Sequence, residues 1–524
     1  PAALKANKNW IKKGGTIIIN IDNFTRKDLD KAKYQKSPLE DNSFEGFNII
    51  EAPITKLTRE ALKDSGLDGK SIGRSKNMFA LGIVYWMFNR PMKQTEQFLK
   101  NKFANKPDLV AANIKVMHAG YNFADTIEAL PSSYTVLSAN LEKGKYRNVM
   151  GNQATAWGFL AAAERTNKEL FLGSYPITPA SDILHELAKH KNLGVKTFQA
   201  EDEIAGICAA IGASFTGSLA ITTTSGPGFA LKAEALGLAV MTELPLVVVD
   251  VQRGGPSTGL PTKTEQADLM QALYGRNGES PVVVLACSTP GNCFDWAYMA
   301  SKITLEHNTP VVLLSDGYLG NGAEPWKIRP TKNMPSIKPM IASEGENYEP
   351  YARNKKTLVR KLALPGTKGL EHRLGGLEKE DITGNVSYDP QNHEKMCSIR
   401  SEKISRISKL IPKQKIFGKE DGDILVIGWG GTYGSLYSAV DNLQKEGYSI
   451  SLCHFNYINP LPRNTSDIIN NYKRIIVCEL NSGQFANYLR INFQGTIFNQ
   501  YNKIQGFPFT TSELETHFRI LLRK

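Results

Sequence analysis

The chain has 524 residues, of which 41% are hydrophobic and 22% charged, a composition typical of a globular protein with several domains. Its apolar runs are too short to span a bilayer and its start does not resemble a secretory signal, so we expect a cytoplasmic protein without a membrane partner. The net charge is +12, but the basic residues are spread along the chain and no nucleic-acid-binding motif accompanies them. We therefore expect no nucleic-acid partner.

The first unit spans residues 1–130. The run TIIINID (16–22) predicts a buried strand after a glycine turn. The run NMFALGIVYWMF (77–88) predicts a helical stretch that ends at Pro91. A polar connector at 131–147 leads to the next unit.

The second unit, residues 148–325, alternates strands with helices. Its strand candidates are short Val-, Leu- and Ile-rich runs without polar alternation, which is typical of a parallel sheet covered on both faces. The runs are ELFLGS (169–174), LAITTTSG (219–226), PLVVVDVQR (245–253), PVVVLAC (281–287) and PVVLLSDG (310–317). This order predicts a doubly wound α/β domain.

Residues 330–415 are rich in Lys, Pro, Asn and Glu and lack apolar periodicity, so they predict a mostly irregular connector over the surface. Residues 421–524 predict a second, smaller α/β domain. Its strand candidates are DILVIGWGG (423–431), SISLCHF (449–455) and RIIVCEL (474–480).

The cysteines are scattered, and no two form a C-x-x-C pair. This spacing favours reduced thiols over disulfides, and it argues against an iron–sulfur cluster or another metal site in this chain. The cysteines are Cys208, Cys287, Cys293, Cys397, Cys453 and Cys478.

The first segment that could carry chemistry is Gly173–Pro179, at the end of a predicted strand. Thr178 followed by Pro179 is a common helix start, with Thr178 as N-cap and Pro179 at the first helical position. A helix start at the carboxyl edge of a parallel sheet is also where an anionic ligand binds. The residues alone favour neither the structural helix start nor the ligand-binding site over the other.

Two further segments allow both a structural and a functional interpretation. The acids Glu201, Asp202 and Glu203 precede a Gly- and Ala-rich helix, where helix capping is the favoured interpretation and a buried carboxyl with a raised pKa the alternative. The run TTTSGPG (222–228) exposes backbone amides after a strand, which suits a cofactor edge or any strand–helix turn.

The last segment is the Gly-rich loop QRGGPSTG (252–259), which follows a buried strand. The planar fork of Arg253 suits a carboxylate held by two parallel hydrogen bonds. The alternative is an ion pair with a helix acid, and we slightly favour the ligand.

Taken together, these segments resemble the alpha subunit of 2-oxoacid:ferredoxin oxidoreductases. The family's order is reproduced by Y-P-I-T-P, the Glu203 helix, T-T-S-G-P-G and Q-R-G-G-P-S-T-G-L-P-T. The resemblance continues through HRLGGLE (372–378), DPQNHEKM (389–396) and the terminal IGWGGTYGS…CELNSGQFANYLR. Residues 1–130 resemble the family's gamma domain from a point part-way through it, so we expect that domain to be N-terminally incomplete.

The resemblance implies an α/β fold with three domains: a pyrimidine-type thiamine diphosphate domain at 148–325, a transketolase C-terminal-like domain at 421–524, and the partial gamma domain. It implies that Glu203 is the catalytic carboxyl against the aminopyrimidine ring. It also implies substrate contacts and cofactor contacts for seven further residues. The substrate-binding residues are Thr178, Arg253 and Tyr175, and the cofactor-binding residues are Pro176, Ile177, Ser225 and Gly226.

The resemblance further implies that the cofactor is shared with a beta subunit, which carries Mg²⁺ and a [4Fe-4S] cluster. This chain lacks the Gly-Asp-Gly motif with which thiamine enzymes hold magnesium. The expected reaction is oxidative decarboxylation of a 2-oxoacid, with 2-oxoglutarate favoured, to an acyl-coenzyme A and CO₂ with reduction of ferredoxin. Two alternatives stay open: a subunit of a transketolase- or dehydrogenase-type thiamine enzyme, and a non-catalytic scaffold.

Overall fold

The structure, a computed structural model, describes residues 1–130 and 133–523, apart from the side chain of Asn42. These residues form two compact units, Pro1–Lys143 and Gly144–Lys524. The predicted boundaries at 148–325, 330–415 and 421–524 lie within the second unit and stay a prediction.

Two of the predicted segments extend beyond the described residues. Pro131 and Ser132, at the start of the predicted connector, lie outside them, and so does Lys524, at the end of the predicted last domain. Within the described residues, no helix combines the length and the apolar character that crossing a bilayer requires.

The first unit contains a two-stranded parallel sheet and a set of helices. The predicted strand at 16–22 is confirmed as β1, and the helix predicted at 77–88 is the second half of α4, which ends at Met87. The elements are α1 Ala2–Asn7, β1 Thr16–Asn20, α2 Arg26–Lys31, β2 Asn48–Ala52, α3 Ile54–Ala61, α4 Gly69–Met87, α5 Lys93–Lys102 and α6 Pro107–Thr126.

Helices α4 and α6 pack closely because glycines face each other across the contact. A Cβ on Gly120 would overlap the carbonyl oxygen of Phe79, and a Cβ on Gly82 would lie 2.7 Å from the backbone nitrogen of Tyr121. Ile83 and Val116 complete a buried core at this contact. The core of this unit is therefore mainly helical.

The second unit begins with an antiparallel pair, β3 with β10, and continues as alternating strands and helices. The elements of its first half are β3 Tyr146–Met150, α7 Gly151–Thr166, β4 Leu170–Ser174, α8 Ser181–Leu187, β5 Val195–Gln199, α9 Glu203–Phe215, β6 Leu219–Thr224, α10 Gly226–Leu231, α11 Ala233–Met241, β7 Leu246–Gln252, α12 Leu269–Tyr274, β8 Val283–Ala286, α13 Cys293–His307, β9 Pro310–Asp316, α14 Gly317–Asn321 and β10 Ala323–Lys327.

The second half of this unit builds a smaller parallel sheet. Its elements are α15 Pro390–Ile407, β11 Gly422–Trp429, α16 Tyr433–Lys445, β12 Ile450–Phe455, β13 Tyr457–Asn459, α17 Thr465–Asn470, β14 Tyr472–Glu479, α18 Gln484–Asn492, β15 Phe498–Asn502 and α19 Thr511–Leu522. The strand order in this sheet is β12-β11-β14-β15.

The large sheet has the strand order β13-β8-β9-β7-β6-β4-β5, and its strands from β4 to β9 are parallel. Strands β6, β7 and β9 are buried along their whole length, as the unbroken apolar runs predict. Successive side chains serve opposite faces: Val247 and Val249 join one core cluster, and Val248 joins the other. The predicted doubly wound α/β fold is confirmed.

One part of the segment predicted to be mostly irregular, 330–415, is helical. Helix α15 begins at Asp389, whose side chain accepts hydrogen bonds from the backbone nitrogens of Gln391 and Asn392. Its buried face includes Arg400 and Lys403 beside apolar residues. Because charged side chains occupy that face, the apolar periodicity that marks a helix is weak.

Candidate active site

Glu203 is the first residue of α9, at the carboxyl edge of the large sheet. Its side chain is buried, with 8% exposed. The Asp202 carboxylate caps the helix by accepting a hydrogen bond of 2.7 Å from the backbone nitrogen of Ala205. The capping interpretation is thus correct for Asp202, and the Glu203 carboxyl takes no part in that bond.

Helix α9 lies directly on β4 because both elements carry a glycine at the contact. A Cβ on Gly173 would overlap the carbonyl oxygen of Gly206, and a Cβ on Gly206 would lie 3.2 Å from the Cα of Ser174. This close approach positions the start of α9, and with it Glu203, beside the end of β4.

The turn after β6 packs against Glu203. A Cβ on Gly228 would lie 2.5 Å from Cγ and 2.8 Å from Oε1 of Glu203, so only glycine fits there without movement. In the same turn Ser225 is fully buried, and its hydroxyl has no hydrogen-bond partner among the described residues. A buried hydroxyl without a partner is costly, so this atom is available for a ligand.

Lys232 is a neighbour of Glu203 that the sequence reasoning missed. Its Nζ donates a hydrogen bond of 2.7 Å to the backbone carbonyl of Glu203, and the side chain is fully buried. Burial lowers the pKa of Lys232 to about 8, although the nearby carboxylates of Glu203 and Asp202 act in the opposite direction. The sequence feature that could have identified Lys232 is a single lysine within the mostly apolar run GFALKAEALG.

Arg253 follows β7 directly and reaches the Y-P-I-T-P segment. Its side chain is 6% exposed, and its Nη1 donates a hydrogen bond of 2.6 Å to the backbone carbonyl of Thr178. Its Nε is buried without a partner among the described residues. The predicted pair of substrate residues is therefore brought together, but through the backbone of Thr178.

The helix start predicted at Thr178 and Pro179 is wrong. Helix α8 begins at Ser181 with Ala180 as its N-cap residue, so neither Thr178 nor Pro179 belongs to the helix start. The Thr178 side chain is exposed and makes no N-cap hydrogen bond to α8. Tyr175 is 38% exposed, and Pro176 and Ile177 are half-buried.

A pair of buried carboxyls lies behind these loops. Asp250 in β7 is fully buried, and Asp268 precedes α12 and is 8% exposed. Burial raises the pKa of Asp268 to about 6, and burial together with the Asp268 charge raises the pKa of Asp250 well above its ordinary value. Burial of two adjacent carboxyls favours a state with one proton between them, and that proton would pair two of the three carboxyl oxygens that have no partner among the described residues.

Asp268 also contacts the turn after β6. A Cβ on Gly226 would lie 2.7 Å from Oδ1 of Asp268, and the backbone nitrogen of Asp268 donates to Oε1 of Gln252 at 3.2 Å. The sequence reasoning missed both acids, since neither lies in a recognisable motif.

Large apolar side chains are exposed around this edge of the sheet. Besides Tyr175, they are Phe198 at 46%, Ile204 at 45% and Leu260 at 50%. They follow or flank the carboxyl ends of neighbouring parallel strands, so they surround the site. Exposed apolar residues grouped in this way mark a surface that another molecule covers.

Comparison with known proteins assigns both units to one family. The family model "Pyruvate flavodoxin/ferredoxin oxidoreductase, thiamine diP-bdg" matches residues 163–388, and "Pyruvate ferredoxin/flavodoxin oxidoreductase" matches residues 1–123. The first of these ranges contains Glu203, Ser225 and Arg253.

Curated relatives support the same family assignment. The 2-oxoglutarate oxidoreductase subunit KorA of Mycobacterium tuberculosis is 47% identical over 523 residues, which cover 100% of this chain and 80% of that protein. The 2-oxoglutarate synthase subunit KorA of Archaeoglobus fulgidus is 33% identical over 64% of this chain and 88% of its own length. A solved structure of 2-oxoglutarate:ferredoxin oxidoreductase from Magnetococcus marinus, with 2-oxoglutarate, coenzyme A and succinyl-CoA bound, matches with a TM-score of 0.88. That match is 30% identical and covers 100% of this chain and 87% of the other.

Proposed function

Because this chain belongs to the 2-oxoacid:ferredoxin oxidoreductase family, we propose that it is the alpha subunit of an enzyme that oxidises 2-oxoglutarate. The products are succinyl-coenzyme A and CO₂, and ferredoxin takes the electrons. The observation that carries the proposal is the convergence of a buried carboxyl, Glu203, and a nearly buried guanidinium, Arg253, at one edge of the large sheet. The 47% identity over the whole chain favours this reaction over that of a transketolase-type enzyme.

The residues at this edge fit the aminopyrimidine half of thiamine diphosphate. The buried Ser225 hydroxyl has no partner among the described residues, and Gly226 and Gly228 let the carboxyls of Asp268 and Glu203 pack against the same turn. Pro176 and Ile177 offer half-buried apolar surface on the other side. When bound, thiamine diphosphate supplies the electron sink for loss of CO₂.

Glu203 has the role of holding a proton opposite a ring nitrogen of the pyrimidine. Its neighbour Gly228 and the packing of α9 on β4 keep the carboxyl in place, so the proton is held at a defined position. The Lys232 ammonium bonds the Glu203 backbone and keeps positive charge close to the carboxyl. A general acid–base group held in this way contributes about 10²–10⁴-fold to a rate.

Arg253 has the role of binding the 1-carboxylate of the 2-oxoacid. Arg253 Nη1 already bonds the Thr178 carbonyl, and this bond fixes the plane of the guanidinium. Its Nε has no partner among the described residues, so it can donate to a ligand. The exposed Thr178 hydroxyl and the Tyr175 ring complete the substrate contacts. This arrangement binds a planar carboxylate better than a point charge would.

The other half of the site belongs to a partner. The exposed apolar residues Tyr175, Phe198, Ile204 and Leu260 support a beta subunit that covers this edge. We assign Mg²⁺ for the diphosphate and the [4Fe-4S] cluster to that subunit, in keeping with the missing Gly-Asp-Gly and C-x-x-C motifs here. We also place the complex, with its ferredoxin and coenzyme A, in the cytoplasm.

The proposal is tested by co-expressing this chain anaerobically with its beta subunit. Coenzyme A-dependent reduction of a viologen dye is measured with 2-oxoglutarate and, separately, with pyruvate. We expect reduction with 2-oxoglutarate only when both chains are present, and the chain alone serves as control. A complex that carries thiamine diphosphate and its cluster but reduces the dye with neither acid would contradict the proposal and favour the scaffold alternative.

A further inference from the structure

Helix α15 carries a cysteine, a histidine and an arginine above a single glutamate. Cys397 lies one helical turn after His393, and Arg400 lies one turn further on. The Glu378 carboxylate accepts from Nδ1 of His393 at 2.7 Å and from two Arg400 nitrogens at 3.2 and 3.1 Å. All four side chains therefore belong to one bonded cluster, which is outside the site assigned above.

The sulfur of Cys397 is the centre of this cluster. Arg400 Nη2 donates to Sγ at 3.2 Å, and the two ring nitrogens of His393 are 3.9 and 3.8 Å from it. Because these two distances are nearly equal, the ring offers a nearby proton acceptor rather than one aligned hydrogen bond. The guanidinium is the direct partner, and a thiolate at Cys397 would be bonded by a permanent positive charge.

Glu378 keeps the cluster charged. Burial alone would raise the pKa of Glu378, but the hydrogen bonds from Arg400 and His393 outweigh it and lower the pKa below its ordinary value. The carboxylate is thus ionised near neutral pH and orients the imidazole through its bond with Nδ1. A thiol, a base and a group that orients the base form the arrangement that activates cysteine nucleophiles.

Cys397 lies at the wall of a groove. Cys397 is partly exposed and lines a groove of about 630 Å³ whose wall is mostly polar. Neighbouring lining residues are Ser398, Ser401, Tyr274, Arg276 and Tyr488. The groove is large enough for a peptide-sized thiol compound and offers hydroxyl groups to bind it.

A metal ion is the other occupant that these residue types suggest, since Glu378, His393 and Cys397 lie within ligand distance of one another. Arg400 argues against it. Its guanidinium already bonds both carboxylate oxygens and the sulfur, so it supplies the positive charge that a cation would bring. A second cation at the same atoms would be repelled.

We propose that Cys397 is a modification site at which the thiolate exchanges with a low-molecular-weight disulfide. The Cys397 thiolate attacks one sulfur of the disulfide, a new Sγ–S bond forms, and the original S–S bond breaks. The leaving thiolate takes up the proton that the Cys397 thiol gave to His393. One thiol and one disulfide become one mixed disulfide and one thiol, so electrons and protons balance.

The test uses the complete complex with its beta subunit and glutathione disulfide as the probe, at neutral pH. Peptide mass spectrometry follows the mixed disulfide at each cysteine of this chain over time. Cys208 is the matched internal control: it is exposed, but burial of its sulfur and the Glu234 charge raise its pKa. We expect Cys397 to react at least about tenfold faster than Cys208, because the Arg400 guanidinium bonds the Cys397 sulfur directly.

Two variants test whether the cluster, rather than the exposure of Cys397, sets the rate of its modification. H393Q changes an exposed ring and R400Q removes the guanidinium, and each is expected to slow modification of Cys397 about threefold or more without changing that of Cys208. H393Q keeps the test valid if R400Q does not fold. The proposal is overturned if Cys208 reacts as fast as Cys397, or if H393Q reacts at the wild-type rate. It is also overturned if micromolar Zn²⁺ protects Cys397 stoichiometrically, which would make the cluster a metal site.

Discussion

The guanidinium of Arg253 donates a hydrogen bond of 2.6 Å to the backbone carbonyl of Thr178, a residue 75 positions earlier in the chain. This bond joins the loop after β7 to the loop after β4, with β6 between them in the sheet. It orients a buried positive charge at the mouth of the proposed site. The bond therefore ties substrate recognition to the relative position of two loops.

The substitution Arg253→Lys is expected to raise the KM for 2-oxoglutarate by about tenfold or more, because an ammonium cannot hold a carboxylate in two parallel hydrogen bonds. Initial rates of viologen reduction over a range of 2-oxoglutarate concentrations measure this. The control is Arg373→Lys, at an exposed arginine, which should leave KM unchanged. An unchanged KM in R253K would remove Arg253 from the substrate site.

The substitution Glu203→Gln is expected to lower turnover by about 10²-fold or more, because the amide cannot exchange a proton with the pyrimidine ring. Its thermal unfolding should match that of the wild type, since the amide fills the same space. Glu201→Gln, two residues earlier and exposed, should retain full turnover. Wild-type turnover in the E203Q complex would refute the assigned role.

The substitution Gly228→Ala is expected to lower turnover strongly, because the new Cβ would lie 2.8 Å from Oε1 of Glu203 and must displace it. The control is Gly212→Ala, in α9, the helix that begins with Glu203. A Cβ there meets nothing within 4 Å, so this change should keep turnover and stabilise the helix by about 0.5–1 kcal/mol. Equal turnover in both variants would show that the contact with Glu203 does not matter.

The substitution Glu243→Gln is expected to destabilise the second unit by about 3–5 kcal/mol, because it leaves buried cations without their anion. The Glu243 carboxylate bonds Arg353 Nη1 at 2.8 Å and Lys403 Nζ at 2.6 Å, and all three side chains are buried. Burial alone would raise the pKa of Glu243, but the Lys403 and Arg353 charges lower it well below its ordinary range.

Thermal unfolding of the second unit measures this loss. Glu346→Gln is the matched control, because Glu346 pairs with Lys361 at the surface. Loss of this ion pair should not change the unfolding temperature measurably. If E243Q and E346Q unfold alike, the buried network does not hold the 330–415 segment to the sheet.

The buried acid Asp268 predicts a pH dependence of stability. Its pKa is about 6 in the folded chain, against an ordinary value of 3.8, so between these values the folded state binds more protons than the unfolded state. The contribution of Asp268 to the free energy of unfolding should therefore fall as pH rises through this window and stay constant above it.

Asp268→Asn removes this contribution. The melting temperature of D268N should rise relative to the wild type at pH 7.5 but not at pH 4. Asp467→Asn, at an exposed acid, should show no such difference between the two pH values. A D268N profile parallel to the wild-type profile would mean that folding does not raise the pKa of Asp268.

Part of the fold could be predicted because local sequence decides it. Strands β6, β7 and β9 are buried on both faces, so most of their positions are apolar or small, and the runs are visible without any knowledge of neighbours. Helix α15 was missed for the opposite reason. Its buried positions include Arg400 and Lys403, which are stabilised by Glu378 and Glu243 from distant segments.

The same division holds for the site. The motif residues Glu203, Ser225 and Arg253 could be named from the sequence because each lies in a short segment with a resemblance to one family. The sequence could not show that Asp202 rather than Glu203 caps α9, since both acids stand at the helix start and only the backbone geometry selects between them.

The sequence by itself determined the doubly wound α/β fold and the family, and it supplied the candidate residues of the site, because these depend on hydrophobic pattern and short motifs. Only the tertiary structure decided which side chains meet. The Asp250–Asp268 pair and the Cys397 cluster each join residues from separate elements. Their chemistry follows from burial and from distances of a few ångströms, and both are set by packing between segments that are far apart in the chain.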